Sequence, residues 1–230
     1  MSELVSYQLA DGVATVTLCN GKVNAVSPDV IADINSALDR SIEDKAVVIL
    51  TGQPGILSGG YDLKVMTSSP QNAIDLVSAG STLARRMLAH PLPIIVACSG
   101  HAVAKGAFLL LSADYRVGVE GAFTIGLNEV QIGMTMHRVG ITLAKDRLGH
   151  AVLQRSVNNA EMFNPQSAKE AGFLDAVVAP EELMNAANAM AQHFKKINLK
   201  AHAKTKLKVR QGLLETLDAA IEFDKTTGLA

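Results

Sequence analysis

The strongest constraint on the fold is a pair of short, uninterrupted apolar runs, AVVILTG at residues 46–52 and IIVA at 94–97. Each is too short for a buried helix, and neither alternates as a strand with one wet face does. Such runs are typical of strands buried on both faces of a parallel sheet. Between them lie a glycine-containing loop at 55–63 and a predicted amphipathic helix at 70–89. The order strand, loop, helix, strand predicts βαβ units and an α/β fold.

Elements on either side extend this pattern. Alternating apolar and small polar residues at 13–19 predict a half-buried strand of an N-terminal hairpin. Ser27 is a candidate N-cap, since it precedes a proline and apolar residues follow at helical spacing. Residues 100–119 predict a turn, a buried helix and a strand. We expect a core of residues 1–179 and a helical C-terminal region of 180–230.

Composition narrows the class of ligand. With 48% hydrophobic and 19% charged residues, the chain has enough apolar surface for a core and is not disordered. Its net charge of −1 gives no overall electrostatic basis for binding nucleic acid or an anionic membrane. We therefore expect a small-molecule site and neither nucleic acid nor membrane as partner.

The two cysteines and the N-terminus bear on the compartment. Cys19 and Cys98 lie in apolar, strand-like runs and are predicted to be buried free thiols, without the spacing of a metal site. The N-terminal residues lack the basic and apolar regions of a secretory signal. We expect a cytoplasmic protein that holds no metal.

Several motifs that would define a mechanism are absent. The phosphate-binding patterns GxGxxG and GxxxxGK[ST] do not occur, nor do the catalytic patterns GxSxG, HExxH and SxxK. Nucleotide-binding, serine-hydrolase and zinc-protease mechanisms therefore have no support from motifs.

Three other segments place glycines where a strand meets a helix: ILSGGYDL at 56–63, AVAKGAF at 102–108 and FTIGLNEVQIGM at 123–134. In the first two, backbone amides at a turn and at a helix N-terminus could together form an oxyanion hole. In the third, Glu129 lies among Ile125, Leu127, Val130 and Ile132. Each segment alone also fits a simpler reading: a turn, a tightly packed helix or a solvated carboxylate.

In combination and in order, these segments resemble the crotonase family, also called the enoyl-CoA hydratase/isomerase family. The resemblance runs from about residue 13 to 178. It implies a superhelix of ββα turns with a helical C-terminal region, assembled as trimers or hexamers. It also implies acyl-CoA thioesters as substrates and no metal or redox cofactor. The matching segments are KVNAVS, AVVILTG, LSGGYDL, SGHAVAKGAF, SADYRVG, FTIGLNEVQIG and AKEAGFLDAVV.

The resemblance also assigns the oxyanion hole. Its first amide is that of Tyr61, which follows Gly60, and its second is that of Lys105, where the family usually has glycine. A side-chain change leaves a backbone donor in place, but a backbone angle open to glycine strains lysine.

Two positions bear on the reaction. Hydratases of the family use two glutamates, at the positions of Phe108 and Glu129, and only the second is present here. A single base in an apolar pocket suits a proton shuttle that converts 3-enoyl-CoA into 2-enoyl-CoA. The stretch IGLNEVQIG is also similar to the 3,2-enoyl-CoA isomerase branch of the family, which likewise has an apolar residue in place of the first glutamate. The alternatives are hydration or thioester hydrolysis with Glu129 alone, and a catalytically silent acyl-CoA-binding protein in which Lys105 or Tyr61 obstructs the hole.

Contacts with CoA follow more loosely from the same resemblance. Lys22 and Val23 would flank the CoA, although a solvated lysine is an equal reading, and the backbone around Ser58 and Gly60 would meet the adenine and pantetheine. A stretch free of acidic residues, 183–214, could attract the phosphates, or could be a solvated helix face. Its basic residues are Lys195, Lys196, Lys200, Lys204, Lys206, Lys208 and Arg210.

The remaining polar candidates are assigned simpler roles. We predict that His137 and Arg138 lie at the start of a helix. The alternative is that they line the acyl pocket. His101, Asp114 and Asp62 are read as structural hydrogen-bonding groups.

Overall fold

The structure is a computed structural model that describes residues 4–228. Its larger sheet contains six strands in spatial order: β1 (Val5–Ala10), β2 (Val13–Leu18), β3 (Val47–Thr51), β5 (Ile94–Cys98), β7 (Tyr115–Val119) and β10 (Ala176–Val178). The first two form an antiparallel hairpin, and every later pair is parallel. The predicted hairpin and the buried parallel strands are confirmed.

A second, smaller sheet contains β4 (Gly55–Ser58), β6 (Gly100–Val103), β8 (Ile125–Gly126) and β9 (Met162–Phe163). The first three strands are parallel to one another, and β9 is antiparallel to β8. The predictions of a loop throughout 55–63 and of only a turn at the start of 100–119 were therefore wrong. Strands of two to four residues rich in glycine carry no periodicity, and only their pairing across the fold defines them.

Helices cover both faces of the larger sheet. Val48 and Leu50 of β3 pack in one core cluster, and Val47 and Ile49 pack in another on the opposite face, with Ala187. This alternation is what a strand between two helical layers requires. The helices are α1 (Pro28–Glu43), α2 (Leu63–Met66), α3 (Pro70–Ala89), α4 (Lys105–Leu111), α5 (Arg138–Arg147), α6 (His150–Val157), α7 (Pro165–Ala171), α8 (Leu183–Lys196), α9 (Leu199–Val209) and α10 (Gln211–Thr227).

Local signals explain where the two long helices begin. The Ser27 hydroxyl accepts a hydrogen bond from the Val30 amide at the start of α1, as predicted. Ser69 caps α3 in the same way, and this helix has the predicted bounds. Both helices also have proline in the first turn.

The C-terminal region is helical over its described residues, as expected. Leu217 of α10 lies in the same core cluster as Leu50, so this helix contributes to the main core. The division into 1–179 and 180–230 stays a prediction. Within 4–228, no helix has both the length and the apolarity needed to cross a bilayer.

Asp114 links the C-terminal region to the larger sheet. Its side chain is 6% exposed, and the carboxylate accepts a hydrogen bond from the Ile94 amide at 2.8 Å and pairs with Lys206 at 2.8 Å and Arg210 at 3.0 Å. The structural role predicted for Asp114 is confirmed. Lys206 and Arg210, which we expected among the phosphate-attracting residues, are instead held by this carboxylate.

Two further expectations need correction. Lys195 binds Asp11 and so is also engaged within the chain. Cys19 is exposed just beyond the end of β2, whereas Cys98 is a buried free thiol as predicted. A strand-like run does not reveal which of its end residues the fold leaves uncovered.

Candidate active site

The Gly60–Tyr61 peptide follows β4 and is held by its neighbours. The Gly60 carbonyl accepts a hydrogen bond from the Val26 amide at 2.8 Å, and the Asp62 amide donates to the Val26 carbonyl at 3.1 Å. In this parallel bridge the Tyr61 amide faces away from Val26, and no acceptor for it is present among residues 4–228. The Ser58 hydroxyl accepts from the Gly60 amide at 3.1 Å and fixes the turn.

The Ala104–Lys105 peptide follows β6 and opens α4. Lys105 is the first helical residue, so its amide is one of those that an α-helix leaves unpaired. The backbone strain expected at Lys105 lies one residue earlier: Ala104 has φ +50° and ψ −117°. Glycine adopts such angles readily, whereas for another residue they raise the conformational free energy by about 1–3 kcal/mol.

Sheet register brings the two peptides together. Ser58 of β4 pairs with Ala102 of β6, and Tyr61 and Lys105 each lie three residues beyond this pair. A Cβ atom added to Gly60 would lie 3.2 Å from the Ala104 Cβ and 3.8 Å from the Lys105 nitrogen. The two unpaired amides therefore belong to segments that come close together beyond the carboxyl ends of neighbouring strands, and such a pair of donors can hold a developing oxyanion.

Glu129 follows β8, the next strand of the same sheet. It is 6% exposed, and its Oε2 atom has no hydrogen-bond partner among the described residues. Burial raises the pKa of the Glu129 carboxyl to about 7, although a backbone hydrogen bond opposes the shift. Ile125 and Leu127 are buried beside it in sequence, but Val130 and Ile132, predicted to surround it, are 44% and 52% exposed.

Phe108 is fully buried in the first turn of α4. Its ring meets the His137 ring edge-on, with centroids 5.3 Å apart. Burial lowers the pKa of His137 to about 4, opposed by Asp224 and reinforced by Lys105. His137 immediately precedes α5, as predicted for a helix start, and its ring packs on Phe108, at the position to which the resemblance assigns the first hydratase glutamate.

Lys22 and Val23 lie at the surface beside this sheet. The Val23 carbonyl accepts a hydrogen bond from the Gly59 amide at 2.8 Å, and the Val23 side chain is 54% exposed. Lys22 is exposed as well. The structure thus brings Val23 against the Gly59–Gly60 turn and leaves the Lys22 side chain in solvent.

Two supporting residues were missed from the sequence. Asn24 has φ +50° and donates from Nδ2 to the carbonyls of Leu18 and Leu57, which ties the preceding loop to β4. Gly80 lies within α3, where a Cβ would come 2.1 Å from the Tyr61 phenol oxygen. A glycine within an amphipathic helix was the available signal for this close approach.

A cavity of about 720 Å³ lies between α5 and α10. His137 and Asp224 contribute to its wall, whereas Glu129, Tyr61 and Lys105 do not. The Asp224 carboxylate accepts hydrogen bonds from the Arg138 and Val139 amides and so caps α5. The cavity therefore lies next to the Phe108–His137 contact and apart from the two free amides.

These features define a class of protein. The chain repeats units of two strands and a helix, with unpaired amides after two adjacent strands and a buried carboxylate after the third, and this is the crotonase fold. The chain belongs to the enoyl-CoA hydratase/isomerase family, whose sequence model matches residues 8–228.

Individual relatives carry both names of the family. An enoyl-CoA hydratase/isomerase family protein from Pseudomonas syringae is 71% identical over 97% of both chains, with a TM-score of 0.97. A probable enoyl-CoA hydratase from Mycobacterium tuberculosis is 37% identical over 98% of this chain and 96% of its own, with a TM-score of 0.94. Human mitochondrial enoyl-CoA delta isomerase 1 is 29% identical over 82% of this chain, and the match spans 65% of the human protein.

Proposed function

We propose that the protein shifts the double bond of a 3-enoyl-CoA to give a 2-enoyl-CoA. The observation that supports the proposal is the state of Glu129, whose buried carboxylate has one unpaired oxygen. Glu129 follows β8, which pairs with β6, the strand before the Lys105 amide. Glu129 removes a proton from C2, and the Tyr61 and Lys105 amides bind the thioester oxygen as the dienolate forms. Glu129 then returns the proton at C4, so the double bond moves without any net loss or gain of atoms.

Hydration is the second candidate, because relatives of both names are similar to this chain. Water addition needs a group that orients and activates a water molecule. The Asp224 carboxylate that interacts with His137 is held by the amides of Arg138 and Val139, and the Phe108 ring in contact with His137 supplies no carboxylate. This apolar contact favours isomerisation.

The substrate brings its own CoA, and no further cofactor takes part in the proposed reaction. Val23, Ser58 and Gly60 would contact the CoA through the turn after β4, with Lys22 reaching it from the solvent. We also propose a homotrimer or hexamer, since the apolar side chains of Val130, Ile132, Leu207 and Val209 are exposed on the single chain.

The proposal is tested by comparing two reactions of the purified protein. A 3-enoyl-CoA should be converted to its 2-enoyl isomer at least about a hundredfold faster than crotonyl-CoA is hydrated, because hydration lacks its second carboxylate. Product identity is measured by chromatography of the CoA esters. Faster hydration would overturn the assignment, and acyl-CoA binding in calorimetry without any turnover would identify a silent binder.

The pH profile gives a second test. The pKa of Glu129 is raised to about 7, and the base must be ionised in the free enzyme, so kcat/KM should rise as pH increases through about 7. Burial also lowers the pKa of Lys105 to about 7. The Lys105→Met variant should therefore show the same rise of kcat/KM with pH. If kcat/KM of that variant does not change with pH in this range, the rise is due to Lys105 and not to Glu129.

A further inference from the structure

The side chain of Lys105 is an unusual group to find in this core. It is 1% exposed, and its Nζ atom donates a hydrogen bond of 2.6 Å to the Gly80 carbonyl in the middle of α3. Among residues 4–228 no carboxylate pairs with it. A buried ammonium without a counter-charge is costly, whereas an apolar side chain of similar length would fill the same space. Stability therefore gives no reason for a lysine here.

The position of the ammonium suggests another reason. Gly80 is also the point on α3 against which the Tyr61 ring packs, since a Cβ there would meet the Tyr61 phenol oxygen. The Lys105 Nζ atom lies 5.8 Å from the centre of that ring. The Lys105 side chain therefore connects its own segment, which carries the second unpaired amide, to Gly80. The Tyr61 ring, whose residue carries the first amide, packs against that same glycine.

The second amide needs such a connection because of Ala104. This residue is held on both sides: its amide donates to the Gly126 carbonyl at 3.0 Å, and its carbonyl accepts from the Phe108 amide at 3.0 Å. Its combination of φ +50° with ψ −117° is nevertheless strained for alanine, so rotation of the peptide that follows, which changes ψ, would relieve the strain. The Lys105 side chain, anchored on α3 by its hydrogen bond to Gly80, opposes that rotation.

We propose that the Lys105 side chain is a positioning residue, which holds its own amide and the Tyr61 segment in register through Gly80. The inference rests on the proposed function, in which these amides bind the thioester oxygen. The ammonium itself acts through the backbone and takes no part in proton transfer.

Lys105→Met tests the proposal, because methionine fills the same space without a donor. We expect kcat for isomerisation to fall about tenfold to a hundredfold, with KM changed less than about threefold. The melting temperature should stay the same or rise, because an unpaired buried ammonium is removed. Lys169→Met, the same change at an exposed lysine of α7, should alter neither quantity. Unchanged kcat, or a fall in kcat matched by a fall in melting temperature, would overturn the proposal.

A second variant gives a rescue that a merely structural role would not produce. Glycine adopts the angles of residue 104 without strain, so Ala104→Gly combined with Lys105→Met should recover at least about tenfold of the lost kcat. Equal impairment of the single and double variants would contradict the proposal, and the double variant remains informative if Lys105→Met alone does not fold.

A crystal structure of Lys105→Met separates this inference from the proposed function. The peptide between residues 104 and 105 should be rotated relative to the wild type, whatever reaction the protein performs. An unrotated peptide would overturn the positioning role even if isomerase activity is found, and a rotated one would support it even if isomerisation is not.

Discussion

Glu129→Gln should lower kcat for the conversion of 3-enoyl-CoA to 2-enoyl-CoA by about 10²–10⁴-fold, because glutamine has the shape of glutamate but cannot accept the C2 proton. Acyl-CoA binding should change little, since the amides of Tyr61 and Lys105 remain. The melting temperature should not fall, because the variant removes a buried carboxylate with an unpaired oxygen. The measurements are turnover, calorimetric binding and thermal unfolding.

Glu170→Gln is the matched control for this experiment. Glu170 is exposed on α7, so the same chemical change there should leave turnover as it is. If Glu129→Gln keeps activity within tenfold of the wild type, Glu129 is not the base, whichever reaction the protein catalyses.

The largest effect on stability is expected at Asp114. Asp114→Asn leaves the ammonium of Lys206 and the guanidinium of Arg210 buried without their carboxylate, which should lower the free energy of unfolding by about 3–5 kcal/mol. Urea unfolding followed by circular dichroism measures the change. The active-site residues are untouched, so the folded variant should retain kcat.

Asp218→Asn provides the comparison, because it also removes an aspartate from an arginine pair. The Asp218 and Arg85 side chains are 55% and 34% exposed, and solvent screens such a pair. We expect a loss below about 1 kcal/mol. Equal losses in the two variants would show that burial of the Asp114 pair is not what stabilises the C-terminal region.

Much of the larger sheet and its helices could be predicted, because their signals are local. Proline and serine at the starts of α1 and α3, and continuous apolar runs in β3 and β5, report on structure within a few residues. The smaller sheet could not be predicted, since β8 has only two residues and exists through its pairing with β6. Tertiary pairing decides such strands, and the sequence carries little local sign of it.

The candidate site could likewise be predicted where a segment of the sequence carries the signal, and not where tertiary pairing decides the contact. Tyr61, Lys105 and Glu129 were selected from the order of their segments, and the smaller sheet aligns those segments on adjacent strands. The strain was assigned to Lys105 and is found at Ala104, the residue that immediately precedes the first helical residue of α4. The pairing of Asp114 with Lys206 spans 92 residues, and no local pattern reveals it.

Tyr61 and Lys105 each lie three residues beyond the paired residues Ser58 and Ala102. This equal spacing limits which sequence changes the site can accept. The register of β4 and β6, neighbouring strands about 4.8 Å apart, brings the segments that carry the two donors to the same level of the sheet. An exchange of side chain, even of glycine for lysine, keeps an amide donor at each of these positions, while its orientation still depends on supports such as the Lys105–Gly80 hydrogen bond. Deletion or insertion of one residue between Ser58 and Tyr61, or between Ala102 and Lys105, would turn an amide away from its neighbour. A change in residue type can therefore reorient a donor, whereas a change in chain length removes it from this level of the sheet.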